Sequence, residues 1–411
     1  MFLGQGMRQL LRAVYFLIVP RALGVEQYGL FVGVTALAAI LAPFATLGIG
    51  NLLVKNVSRD KKVVAEYWGN SLVLTAASGA ALILLMMGIA RLLLPGKVPW
   101  LLVFVVAISD LLFAKVVDVA TQAFQAFDLM AKTAQLNVLA SLTRVIGAVV
   151  FVALFRQSHN AMAWTWIYFA ASVVTTVIAM QWVNRQLAQP VLALWRIKPE
   201  LLEGCYFSVS MSSQSIYNDI DKTMMVQLST LDGAGIYAAA YRLIDVAFLP
   251  VRSLLWAAYP SFFRHGQGGV GASTRYARRL IPRACLYSLL ACAALFVGAP
   301  IVPHLLGPEY ARTTEALRWL SPLPLLKTLH YFVADSLTGA GLQGVRTAVQ
   351  VGVAVFNILL NLWLIPAYSW RGASWSSLAS DGLLALSLWF AVLWLGRQEG
   401  ATELATSETV A

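Results

Sequence analysis

The sequence is short of charge. Only 12% of its 411 residues are Asp, Glu, Lys or Arg, against roughly 25% in a soluble domain. With 59% hydrophobic residues and a mean hydropathy of +0.72, too little polar surface remains to cover a water-soluble globule. Lipid must therefore face most of the molecule. Acids are scarcer than bases: 19 Asp and Glu against 30 Lys and Arg give a formal charge of +11. A nucleic-acid binder would gather its cations in a soluble domain, and the chain has no room for one, which excludes nucleic acid as a partner. Cysteine is rare, and Cys205, Cys285 and Cys292 fall in apolar stretches without CxxC spacing. They read as small core residues. The histidines (His159, His265, His304 and His330) are scattered and read as structural. No metal-ligand cluster, nucleophile–base arrangement or phosphate-cradling glycine loop stands out, so neither a metal site nor an enzyme is expected. A signal peptide is not expected either. The opening apolar run is broken by Arg8 and Arg12, lacks a small-residue cleavage site, and reads as a first membrane helix.

What the chain has instead is long apolar runs. A helix needs about 20 such residues to cross the hydrocarbon core. Runs of this kind cover 3–20, 29–54, 69–94, 99–124, 133–155, 162–184, 201–228, 234–262, 281–306, 314–339, 346–366 and 373–396. They predict an all-α, polytopic membrane protein of about twelve spans with short connectors. The polar, acidic stretch 397–411 is predicted to be a disordered tail. Lys and Arg set the orientation. The even-numbered connectors carry 14 of them and the odd-numbered ones 6. That places both termini in the cytoplasm.

The chain also repeats itself. Leu23 to Pro43 is similar to Asp232 to Pro250, with Tyr28 matching Tyr237. Ala120 to Gln135 is similar to Ala334 to Val349, with Lys132-Thr133-Ala134 matching Arg346-Thr347-Ala348. Both matches share an offset of about 210 residues. Two pseudo-symmetric six-helix lobes follow, 1–190 and 191–396, running parallel.

Polar residues form stripes inside these apolar spans. An ionisable group at membrane depth costs several kcal/mol unless it meets a partner or a wet cavity. Arg8 and Arg12 lie one turn apart. Lys115, Asp118, Gln122 and Gln125 share a face, as do Thr133, Asn137, Ser141 and Arg144. Ser208, Ser212, Ser215, Asp219 and Lys222 run down one side of the seventh span. Arg242, Asp245 and Arg252 follow in the eighth, then Lys327, His330, Tyr331 and Asp335 in the tenth. Some opposite charges at i,i+3 neutralise each other. Arg8, Arg12, Arg144 and Arg252 have no acid close by on their own helix. The expectation is a hydrated cationic cavity between the halves, suited to phosphate, whose oxygens guanidinium groups bind in a bidentate way.

The segments RALGVEQYGLF, LGIGNLLVKNVSR and YNDIDKTMMVQLSTLDGAGIYAAAYRLIDVAFLPVRSLLWAAYPSFFR resemble polysaccharide-repeat flippases. These are the O-antigen and exopolysaccharide translocases of the multidrug/oligosaccharidyl-lipid/polysaccharide exporter superfamily. The resemblance implies a two-lobed bundle in the bacterial inner membrane. It would move an undecaprenyl-pyrophosphate-linked oligosaccharide from the inner to the outer leaflet by alternating access. It implies lipid as a partner and admits other membrane proteins of polysaccharide assembly. Arg8, Arg12, Arg144, Lys222, Arg242 and Arg252 are the expected headgroup contacts. Related peptidoglycan-precursor flippases hold Na⁺ in the C-terminal lobe. On that pattern Asp219 or Asp221 would supply a carboxylate, and Asn357 and Asn361 have the i,i+4 spacing. Proton coupling through Asp219 or Asp245 is the other reading. Two other functions compete with this one: a multidrug antiporter of the same superfamily, and a membrane polymerase or ligase. The first would favour acids on helix one and the second a long external loop; this sequence has neither.

Overall fold

The computed structural model describes residues 2–93, 98–155, 160–196, 208 and 219–410. Among the described residues the regular structure is helical, with no strand. Eight helices among the described residues are long and apolar enough to cross a membrane, and nine if a pair bent by 48° at Phe248 counts as one span. The chain is a multi-pass membrane protein. Large apolar side chains on the outer faces are bare, among them Leu84, Leu92, Val297, Trp363 and Phe390, each more than 70% exposed. In water such exposure would be penalised; in lipid it costs nothing.

Two compact units divide the chain: 1–235 with 305–309, and 236–304 with 310–411. The first holds α1 (Phe2–Leu41), α2 (Ile49–Arg59), α3 (Val64–Leu93), α4 (Trp100–Ile108), α5 (Ala114–Ala126), α6 (Met130–Leu154) and α7 (Ala161–Gln186). It also includes a helical stretch at 219–228. α8 (Leu231–Ala247) begins in this unit and continues in the second. The second unit adds α9 (Leu249–Gly266), α10 (Gly269–Gly298), α11 (Thr313–Leu320), α12 (Leu323–Gly339), α13 (Gln343–Tyr368) and α14 (Trp370–Val410).

The first two expected spans share α1, which is interrupted at Gly24 (φ 75°, ψ 165°). Such a φ is open to glycine at no steric cost, and Pro20 just before it lacks an amide donor. The amide of Val25, left without a helical acceptor, donates to Glu309 Oε2 at 3.2 Å. The expected seventh span lies mostly outside the described residues, including Ser212 and Ser215, and so does Cys205. The expected tenth span is divided between α11 and α12 at Ser321 and Pro322. The tail after Arg397 differs from expectation: α14 stays helical through Val410. Ala, Glu and Gln there are good helix formers and no proline intervenes.

Packing draws its division at Gly235, whereas span counting drew it at 190. The cause is close helix contact. A Cβ on Gly29 would strike the Leu231 carbonyl, and one on Gly235 would strike the Val25 carbonyl. Thr223 Oγ1 reaches the Gly33 carbonyl at 3.4 Å. Small residues thus seat 219–235 against α1.

The two repeat matches have geometric counterparts. In each, a helix with a buried tyrosine (Tyr28 or Tyr237) leads to a proline-bearing break, Ala42–Thr46 or Leu249-Pro250. In each, the later match is a helix end closed the same way. Leu129 N–H reaches Phe124 O at 3.0 Å, and Leu342 N–H reaches Leu337 O at 2.9 Å. The residue before each has positive φ, Asp128 at 58° and Gly341 at 79°. This six-to-one closure ends a helix and turns the chain into the next one.

Candidate functional site

In the first unit, α1, α5, α6 and α7 enclose a cavity of about 180 Å³. Its wall brings together Arg8, Arg12 and Arg144, three of the expected contacts, with Asp118, Asn137 and Ser141. Asn137 and Ser141 bond to backbone carbonyls one turn back, at 2.9 and 3.1 Å. That leaves the second amide proton and the carbonyl oxygen of Asn137, and the lone pairs of Ser141, to the cavity. Arg8 Nε is buried with no hydrogen-bond partner among the described residues. Asp118 and Arg144 both lie within electrostatic reach of Arg8. Three guanidinium groups thus face one carboxylate in this wall.

Behind that wall is a group that the helical stripes did not show. Residues Ser109–Phe113 form a π turn between α4 and α5, a distortion often found at functional sites. Asp110 sits in it and accepts a bond from the Tyr168 hydroxyl of α7 at 2.5 Å. The Arg144 guanidinium lies over the Tyr168 ring, 5.0 Å from its centroid, and within electrostatic reach of Asp110. Asp110 and Tyr168 therefore back Arg144 from the side away from the cavity. A lone acid in the apolar run VVAISDLLFA was the available signal.

Asp118 also borders a second cavity of about 260 Å³ with Asn51, Lys115, Gln122 and Ser208. Lys115 is tied to Asp118 at 2.7 Å, as the i,i+3 spacing predicts. Lys222 is likewise tied to Asp219 at 2.6 Å, and Asp221 accepts the Lys222 amide at 2.8 Å. Lys222 is thus a neutralised cation, unlike Arg8.

The second unit takes Arg242, half-buried on α8, and Arg252. Arg252 does have an acid nearby: across the bend at Phe248, Asp245 Oδ1 lies 4.0 Å away. Reading helix by helix missed that pair because seven residues, about two helical turns, separate the two positions. Asp245 also lies 3.9 Å from Lys327, whose ammonium donates to Tyr241 at 3.0 Å. Arg346, the repeat counterpart of Lys132, is a partner of Asp335 at 3.1 Å with both largely buried. His330, read as structural and alone, bonds to Asp381 at 2.8 Å.

Of the ion-coupling candidates, Asp219 and Asp221 belong to the first unit, while Asp245, Asn357 and Asn361 belong to the second. Asn357 donates to Ser376 at 3.2 Å and Ser380 at 3.0 Å. Asn361 donates to Asn357 Oδ1 at 2.9 Å. Asn361 Oδ1 is itself buried and has no donor among the described residues. A larger groove of about 470 Å³, lined by Val345, Val349, Leu386, Phe390 and Trp394, is apolar and offers nothing to an anion.

Comparison with known proteins gives this geometry a family. Residues 1–265 match the family model described as polysaccharide biosynthesis protein. A probable low-salt glycan biosynthesis flippase, Agl15 of Haloferax volcanii, is 22% identical over 359 residues, covering 86% of this chain and 74% of that protein. The fold is similar to an inward-facing multidrug-resistance MATE transporter of the MOP superfamily. That match has TM-score 0.78 and 16% identity, covering 96% of this chain and 95% of the other. It is also similar to the lipid II flippase MurJ, with TM-score 0.72 and 11% identity over 95% of this chain and 87% of that one. An all-α bundle of this kind, matched over well over half its length, belongs to the polysaccharide biosynthesis protein family.

Proposed function

We propose that this chain is a flippase for a lipid-linked glycan, holding the phosphate-bearing headgroup in the cavity of Arg8, Arg12 and Arg144. The observation that carries this reading is Arg8 Nε, buried and lacking a partner among the described residues, in a cavity lined by three arginines and one aspartate. An uncompensated buried cation is expensive, so the arrangement makes sense when a ligand anion completes it. Guanidinium forks suit pyrophosphate oxygens. The family match and the glycan flippase relative support a lipid-linked cargo over a multidrug cation, and relatives of this kind are transporters, not enzymes. The finer reading is an undecaprenyl-pyrophosphate oligosaccharide moved from the cytoplasmic to the periplasmic leaflet of the inner membrane by alternating access. Both termini then lie in the cytoplasm, and Lys222, Arg242 and Arg252 are secondary contacts.

Arg8→Gln, Arg12→Gln and Arg144→Gln in the native host should each leave lipid-linked repeat units stranded in the inner leaflet. Normal glycan export by all three would overturn the assignment.

A second observation favours ion coupling in the second unit. The donor-free Asn361 Oδ1, on a side chain tied to Asn357, is an oxygen that a hard monovalent cation such as Na⁺ would satisfy. Asn361→Ala should abolish any Na⁺ dependence of export. Export that never depended on Na⁺ would remove this role.

A further inference from the structure

The second unit contains a charge network whose members differ in one respect. Among the described residues, Asp245 has Lys327 and Arg252 nearby, at 3.9 and 4.0 Å. Asp335 has Arg346 at 3.1 Å. These partners are permanently cationic or nearly so. Asp381 is different. Its ion-pair partner is His330 at 2.8 Å, and both side chains are about 3% exposed or less. Histidine is the side chain whose charge changes most readily near neutral pH. Without a proton on His330, a buried carboxylate stands beside a neutral ring; with one, the pair is balanced. We propose that the His330–Asp381 pair is a proton-binding site, loaded and unloaded as the transporter changes state.

The surroundings suit a proton better than a metal ion. No group of three or more His, Cys, Asp or Glu side chains that could hold a metal occurs among the described residues. The charges acting on His330 are Asp381 of α14, Lys327 of α12 and Arg346 of α13. Asp335 stands between α12 and Arg346, with Tyr259 of α9 in electrostatic reach of both. From α8 come Tyr241 and Asp245, acting through Lys327, and from α9 comes Arg252, acting through Asp245. From α10, Arg278 lies over Trp389 of α14, and Ser288 bonds to Thr328 of α12 at 2.6 Å.

The site is also placed to be felt elsewhere. His330 and Asp381 join α12 to α14, which are further tied by the Trp389 indole donating to the Leu329 carbonyl at 3.1 Å. The neighbour of Asp381, Ser380, receives the Asn357 amide of α13. A change in the pair's charge therefore acts on three helices at once. This rests on the transporter reading, but its test needs no glycan.

Full-length protein in lipid nanodiscs, with ring-labelled histidine, presents four histidine signals. They are assigned by loss in His159→Asn, His265→Asn and His304→Asn, so assignment does not require a folded His330 variant. The signal left over should shift with pH between about 5 and 9, and its midpoint should move in Asp381→Asn. Hydrogen exchange of α12 and α14 should change over the same interval in the wild type and not in His330→Gln. A His330 signal that is invariant with pH, or a midpoint that ignores Asp381→Asn, would overturn the site. Exchange that is flat across the transition would overturn its link to conformation. Loss of glycan export in the arginine variants bears on the headgroup cavity alone, so the two readings fail separately.

Discussion

The two units handle buried charge in opposite ways. The first leaves part of it unbalanced: Arg8, Arg12 and Arg144 share one cavity with Asp118, and Arg8 Nε is buried without a partner among the described residues. The second balances it, with Asp335 on Arg346, Asp245 near Lys327, and Asp381 on His330. Balanced charge serves the fold, because a paired ion at membrane depth holds helices together and becomes a liability only when one partner is removed. The unpartnered Arg8 does nothing for the fold and so asks for something from outside. The contrast separates residues that look alike in sequence, such as Arg8 and Arg346.

The contrast can be broken most sharply at Arg346. Arg346→Ala should strand Asp335 and cost about 3–5 kcal/mol of stability. Arg346→Ala with Asp335→Ala should recover much of that loss, as read by thermal unfolding in detergent. Equal instability of the single and double variants would mean that the pair is not what matters. Arg8→Ala should do the reverse, keeping or raising the melting temperature while weakening headgroup binding by roughly 2–5 kcal/mol. Pyrophosphate titration of the purified protein measures this. Tyr168→Phe keeps the ring beneath Arg144 but loses the bond to Asp110. It should weaken pyrophosphate binding by about tenfold or less, the worth of a charge-assisted bond. Gly235→Leu tests packing instead of charge. It must push α8 away from the Val25 carbonyl and should cost about 1–3 kcal/mol. The smallest effect belongs to the exposed Arg371–Glu315 pair at 3.0 Å, where Glu315→Gln should leave the melting temperature unchanged.

Much of the fold could be read from the sequence. The runs at 69–94, 133–155 and 162–184 became α3 (Val64–Leu93), α6 (Met130–Leu154) and α7 (Ala161–Gln186), because apolar length is what a membrane demands. The two repeat matches were legible too, since helix closures such as Asp128-Leu129 and Gly341-Leu342 are built from local residues. Arg8, Arg12 and Arg144 were legible as cations with no acid close by on their own helix, and they do share a cavity. The partners were not legible. Helical spacing reports neighbours on one helix, and it found Lys115 with Asp118 and Lys222 with Asp219. Tyr168 lies 58 residues from Asp110 and Asp381 lies 51 from His330, and only tertiary packing joins them. The break at Gly24 was half visible: Pro20 and Gly24 flag it, but its closure by Glu309 comes from 284 residues away.

The π turn at Ser109–Phe113 also sets a register. A turn of this kind holds one residue more than an α-helix would use over the same stretch. Taking that residue out would rotate everything after it by about 100°, swinging Lys115 and Asp118 off the faces they now occupy. One residue of helical slack thus decides which side chains of α5 reach the cavity and which turn away from it.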